Sequence, residues 1–116
     1  LPGPQSTAAR RFLLQTAILE RLSGSLCDAV TGGEDGAALL ESLERGNLFV
    51  VHLDDERRWY RYHHLFADVL RAQLRKEQPA LLPVLHQRAS AWYEAHGSLP
   101  DAIHHALLGE DFERAA

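Results

Sequence analysis

A chain of 116 residues, 46% of them apolar, is long enough to bury one cohesive core and too short for two ordinary domains. Its 12 basic and 16 acidic residues leave a net charge of −4, so no broad positive field draws in nucleic acid unaided, and direct DNA contact starts at a disadvantage. The longest apolar runs, such as Leu48 to Val51, are a few residues long, and the first residues lack the pattern of a signal peptide; no spanning helix and a cytoplasmic location are expected.

Residues 1–5 hold two prolines and a glycine and read as a linker that leaves something upstream, so the chain is expected to start within a longer protein. Ser6 or Thr7 is a candidate cap for a first helix, whose apolar second half runs from Phe12 to Leu19 and predicts deep burial. Ser23-Gly24 stops it and caps a short second helix over Leu26, Cys27, Ala29 and Val30, ended by Gly32-Gly33. The single cysteine, Cys27, has no disulfide partner and no companion at zinc-ligand spacing, and reads as a small buried hydrophobe. Asp35-Gly36 opens a third helix with Ala38, Leu39, Leu40 and Leu43 as its buried stripe and Glu41, Glu44 and Arg45 outside. Gly46-Asn47 is its expected left-handed stop.

The period then changes from about 3.6 to 2. Leu48 to Leu53 and Trp59 to Tyr62, joined by the charged Asp54 to Arg58, predict a hairpin. His63 and His64 lead a fourth helix with Leu65, Phe66, Val69, Leu70 and Leu74 on one face and Asp68, Arg71 and Arg75 on the other. Three helices, a hairpin and a closing helix are the order of a winged helix. Gln78-Pro79 breaks the pattern. Beyond it Leu85, Ala89, Trp92 and His96 recur at helical spacing to Gly97, a second helix runs from Pro100 to Gly109, and Asp111 caps a third start. The expected fold is mainly α with one β-hairpin: a linker at 1–5, a winged helix at 6–78, and a truncated helical repeat of tetratricopeptide type at 79–116.

No GxxxxGK[ST], GxSxG, HExxH or paired-cysteine pattern occurs, so no catalytic residue is assigned and the chain is not expected to be an enzyme by itself. Seven histidines raise the question of a metal, but the adjacent pairs His63-His64 and His104-His105 point their side chains about 100° apart on a helix, and no metal site is assigned. Solvated or hydrogen-bonded histidines are the plainer account. A winged helix that reads DNA through its third helix needs basic or amide side chains there. The stretch from Asp28 to Arg45 instead carries Asp28, Glu34, Asp35, Glu41 and Glu44 against Arg45 alone, which favours protein contact, while Arg57, Arg58 and Arg61 of the wing are offset by Asp54, Asp55 and Glu56. His63 stands where a strand hands over to a helix N-terminus, a position whose free N–H groups and dipole favour a phosphate oxygen; a capping or core-edge histidine is the alternative.

The segments Phe12 to Leu22, Leu26 to Gly32, Leu43 to Phe49, Trp59 to Phe66 and Ala91 to Tyr93, taken in order, closely resemble the winged-helix region of MalT-like, LuxR-family regulators of the STAND ATPase class. The resemblance implies a parent protein with an upstream nucleotide-binding domain that holds ADP or ATP, this winged helix, a helical repeat that senses an inducer, and a separate DNA-binding helix-turn-helix. It implies that nucleotide-binding and sensor domains are this stretch's partners, with self-association on activation, and that ADP or ATP is held by the parent protein and not by a cofactor site of the stretch's own; from charge and hydropathy, no direct nucleic-acid or membrane contact is expected. In that class a Met-His-Asp motif sets its histidine on the β-phosphate of ADP; the role falls here on His63, with Tyr62 in the methionine's place and His64 in the aspartate's, and with Arg61 as a weaker second residue. A winged helix that binds DNA directly, or a rigid spacer, are the other readings.

Overall fold

Helices α1 (Pro4–Thr16), α2 (Gly24–Thr31) and α3 (Gly36–Arg45) come first, then strands β1 (Val50–His52) and β2 (Tyr60–Tyr62), then α4 (His64–Glu77), α5 (Leu81–Ala95) and α6 (Leu99–Ala115). This computed structural model describes residues 4–46, 49–56 and 58–115, with side chains for 8–46, 49–56 and 58–109. The winged-helix order expected from the periodicity is therefore present, followed by a helical hairpin.

Local chemistry explains why the elements start and stop where they do. The Ser23 hydroxyl accepts from the Leu26 N–H at 3.1 Å, and Gly32 closes α2 in the left-handed region with φ 77° while its N–H donates to the Asp28 carbonyl. Helices α2 and α3 then meet backbone to backbone. A Cβ on Gly36 would lie 2.5 Å from the Gly24 carbonyl oxygen, and the Gly36 N–H donates to the Asp28 carboxylate at 2.8 Å.

In the wing, Val50 pairs with Tyr62, Val51 with Arg61 and His52 with Tyr60, antiparallel. Val50, Tyr60 and Tyr62 point into the core, Val51 and Arg61 point out, as period two requires. The Asp54 carboxylate accepts from the N–H groups of Arg58 and Trp59, both at 3.0 Å, and closes the turn. Leu22 adds a third edge: its N–H donates to the Tyr60 carbonyl at 2.8 Å and its carbonyl accepts from the Tyr60 N–H at 2.7 Å. Leu22, Leu26, Leu40, Leu74 and Leu85 are fully buried, so one core runs from the first helices through α4 to α5.

Several boundaries and faces differ from the sequence reading. Helix α1 includes Pro4 and Gln5, which were read as linker; proline is tolerated in a first turn, where its missing N–H would be unpaired anyway. The Ser6 and Thr7 side chains lie outside the described ones. The first helix ends at Thr16 and not at Leu19, because the chain must turn through the buried Ala17, Ile18 and Leu19 for Leu22 to reach β2. In α3 the inward face is Gly36, Leu40 and Leu43, with Ala38 exposed and Leu39 half-buried; the close approach at Gly36 sets this phase. Gly46 is right-handed with φ −78°, and Asn47 lies outside the described residues; the positive φ falls instead on Phe49, at 63°.

Helix α4 is rotated relative to expectation. Ala67, Leu70 and Leu74 face the core, whereas Leu65 and Val69 are 63% and 65% exposed. Arg71 explains the phase: its Nε donates to the Ala17 carbonyl at 2.6 Å and an Nη to the Leu19 carbonyl at 3.4 Å, locking that flank onto the turn after α1. On α5, Leu85 and Ala89 are buried as expected, Trp92 is half-buried and His96 exposed, while Leu82, His86 and Tyr93 join the core unforeseen. Helix α6 runs unbroken through Gly109, with no new start at Asp111. A glycine inside a helix costs about 1 kcal/mol, which packing of this buried position against α5 offsets.

Candidate functional site

β2 alternates so that Arg61 is exposed between two buried tyrosines, and the chain then enters α4 through His63. Tyr62 is held from behind, its hydroxyl 2.7 Å from that of Thr16. The His63 N–H donates to the Phe49 carbonyl at 2.7 Å and its own carbonyl accepts from the Ala67 N–H at 2.9 Å. These two bonds fix the strand-to-helix corner. His63 is the N-cap of α4, with extended backbone (φ −55°, ψ 137°) and Nδ1 accepting from the Leu65 N–H at 3.3 Å.

The ring itself is exposed, stacked on His64 at 4.6 Å between centroids and edge-on to Phe49 at 6.5 Å. Because Nδ1 accepts, the neutral ring carries its proton on Nε2. The capping reading thus describes Nδ1, and an N–H donor remains on the other nitrogen, at the positive end of a 14-residue helix.

Arg61 and His63 line different surfaces beside α4. A cleft of about 210 Å³ beside α4 is walled by Arg61, His64, Asp68, Glu20 and Arg71 among others, and His63 is not one of its walls. Its charges are of mixed sign. His63 instead adjoins an apolar surface the sequence reading did not foresee. Phe49, 59% exposed, lies with its ring 5.2 Å from that of Phe66, and the exposed Leu65 and Val69 follow on the same helix. A bulky residue at φ 63° is backbone strain, and its one sequence signal is the glycine-asparagine pair at positions 46 and 47, separated from it by Leu48.

A larger cleft of about 400 Å³ opens between the N-terminus of α2, α3 and the end of the wing, with Trp59 and Trp92 meeting edge to face at 6.1 Å. Trp92 donates from Nε1 to the Ser25 hydroxyl at 2.9 Å, and Arg21 lies over the Trp59 ring at 4.9 Å, so both indoles serve to fasten α5 onto the winged helix.

The outer face of α3 bears directly on DNA reading. Arg45 is paired with Glu41 at 3.5 Å, Glu34 and Asp35 just before the helix are exposed, and Glu44 contacts His52 across to the wing. On the wing Arg58 is 3.8 Å from Glu56, and Arg57 lies outside the described residues.

Residues 3–82 match the family model described as the MalT winged helix domain. The chain is also 40% identical over 106 residues, 91% of its length, to the serine/threonine-protein kinase PknK of Mycobacterium tuberculosis and, to the same degree, of Mycobacterium bovis. It spans about 10% of the length of those relatives.

Proposed function

The chain belongs to the MalT winged helix domain family, and from that premise we propose that it is a regulatory relay within a longer, ATP-dependent bacterial transcription regulator of the LuxR family. In this reading a nucleotide-binding domain of the same polypeptide packs against the His63 corner while ADP is bound. It separates when ATP and an inducer, sensed by a helical domain, favour an open and self-associating form. DNA binding, ADP and ATP belong to those other domains, and this stretch catalyses nothing itself. Relatives of the stretch in proteins named as kinases fit a module that serves effectors of more than one kind.

A relay needs an interaction made in one arrangement and lost in the other. The observation that carries the reading is the exposed His63 ring, whose Nδ1 is occupied by the Leu65 N–H and whose Nε2–H is therefore available to a phosphate oxygen. Arg61, exposed two residues earlier, is the second candidate. The paired and acidic α3 surface supports protein contact over direct DNA reading.

Two substitutions in the longer protein test the role of His63. Asparagine is a strong N-cap and alanine is not, so His63→Ala removes cap and imidazole together, whereas His63→Asn keeps the cap and removes the imidazole alone. Both variants are expected to lose ADP retention and to raise inducer-free activity. Wild-type behaviour of His63→Asn would reduce His63 to a cap and overturn the assignment. For the DNA alternative, a gel shift with this chain is expected to show no band; a shifted band that fades as salt rises assigns direct DNA binding instead.

A further inference from the structure

His86 on α5 and His105 on α6 face one another in the interior, 5% and 3% exposed, with their Nδ1 atoms 2.9 Å apart. Tyr93 stacks flat on His105, ring centroids 5.7 Å apart and 8° from parallel. Two ring nitrogens at that separation share a single hydrogen: one ring donates and the other must present a bare Nδ1. Were both rings charged, two hydrogens and two positive charges would face each other across the same gap. The contact cannot survive that state.

We propose that the His86–His105 pair is a proton-operated clasp, closed while at least one ring is neutral and opened by acid, so that α6 parts from α5 while the winged helix stays folded. The inference stands apart from the reading of His63. Its surroundings decide how much acid is needed. Burial lowers the affinity of both rings for a proton, to about 4; His105, His104 and Arg71 act on His86 in the same direction, and His104 does so on His105, where Glu20 and Asp101 oppose it. Arg75 and Glu20 stand with His86 and His104 around a cleft of about 290 Å³, which gives water a route to His86, one member of the pair.

The rest of the fold explains why α6 is the part released. Its side-chain ties to the turn after α1 are solvent-accessible, Arg21 to Asp101 at 3.1 Å and His104 to Glu20 at 3.8 Å, and Leu99, Ile103 and Leu107 bury little. Helix α5 has its own anchors, from Trp92 to Ser25 and from Arg88 to the Val30 carbonyl, both at 2.9 Å.

Amide hydrogen exchange of this chain, corrected for intrinsic rates and followed by NMR at about pH 7 and about pH 4.5, reads the opening directly. Amides of α6 are expected to lose at least about tenfold more protection than those of α2 to α4, in step with the titration of the two imidazole rings. In the double variant His86→Leu, His105→Phe the acid-induced loss is expected to vanish. Retained protection of α6 at the lower pH, or an equal loss in the double variant, overturns the clasp. Should the double variant fail to fold, the wild-type rings still decide: α6 opening without their protonation, or their protonation without opening, overturns it equally.

Discussion

The hydroxyls of Thr16 and Tyr62 lie 2.7 Å apart in the buried centre, joining the end of α1 to β2. Thr16 also donates to the Phe12 carbonyl at 2.7 Å, so its hydroxyl accepts from Tyr62. Tyr62→Phe leaves Thr16 satisfied and is expected to cost about 1 kcal/mol, whereas Thr16→Val strands a buried phenol and is expected to cost about 2 kcal/mol. Urea unfolding of both singles and the double checks this, the double costing less than the sum. Equal costs for the singles would show that the hydroxyls do not depend on each other in this order.

Gly36 tests the contact between α2 and α3. An added methyl meets the Gly24 carbonyl oxygen at 2.5 Å, backbone that cannot swing aside. Gly36→Ala is expected to destabilise by about 1 to 3 kcal/mol despite alanine's better helix propensity. A thermal melt unchanged or raised by this substitution contradicts the close approach.

Cys27 is fully buried, and burial followed by the neighbouring Asp28 carboxylate pushes its thiol above the usual range. The thiolate is the reactive form. A disulfide reagent at mildly alkaline pH is expected to label the folded chain at least about a hundredfold more slowly than the urea-unfolded chain. Rapid labelling of the folded chain would place this sulfur at the surface.

Acid acts on the fold in two separable windows. His86 and His105, held down to about 4 from an ordinary 6.5, bind fewer protons folded than unfolded, so stability is whole above about 6.5 and declines as pH falls toward about 4. Glu77 acts in the same direction at lower pH: hydrogen bonds from Arg10 and then Gln73 hold its carboxyl down to about 2, so it too binds fewer protons folded than unfolded. Its small, exposed contribution is present above about 4.5 and lost below. Denaturant midpoints are expected to fall through the upper window in wild type; Glu77→Gln is expected to lower the midpoint slightly and evenly above about 4.5 and to remove the further fall of the lower window, converging with wild type at about 2.

Period changes made the layout legible. The shift from helical spacing to alternation placed the hairpin, and Ser23 and Gly32 marked both ends of α2 where they lie in the structure. Helix faces were harder. Leu65 and Val69 fit an apolar stripe as well as Ala67, Leu70 and Leu74 do, and the choice between them is made by Arg71 reaching carbonyls more than fifty positions away. The same holds for the Leu22 pairing and the His86–His105 contact, which depend on tertiary neighbours that no local pattern contains. At the candidate site, the strand-to-helix position of His63 was legible, and there it caps α4 with its ring in solvent; the strained Phe49 beside it had no residue signature of its own, since phenylalanine is a poor choice for a left-handed backbone.

The backbone pairing of Leu22 with Tyr60 makes the wing something other than a free flap. Two opposed hydrogen bonds rivet its second strand to the segment that enters α2, two residues before that helix begins. Any tilt of the wing must therefore drag the start of α2, and with it Ser25 and the indole of Trp92 that grips it. Leverage applied at the strand beside Arg61 arrives at α5 through rigid parts.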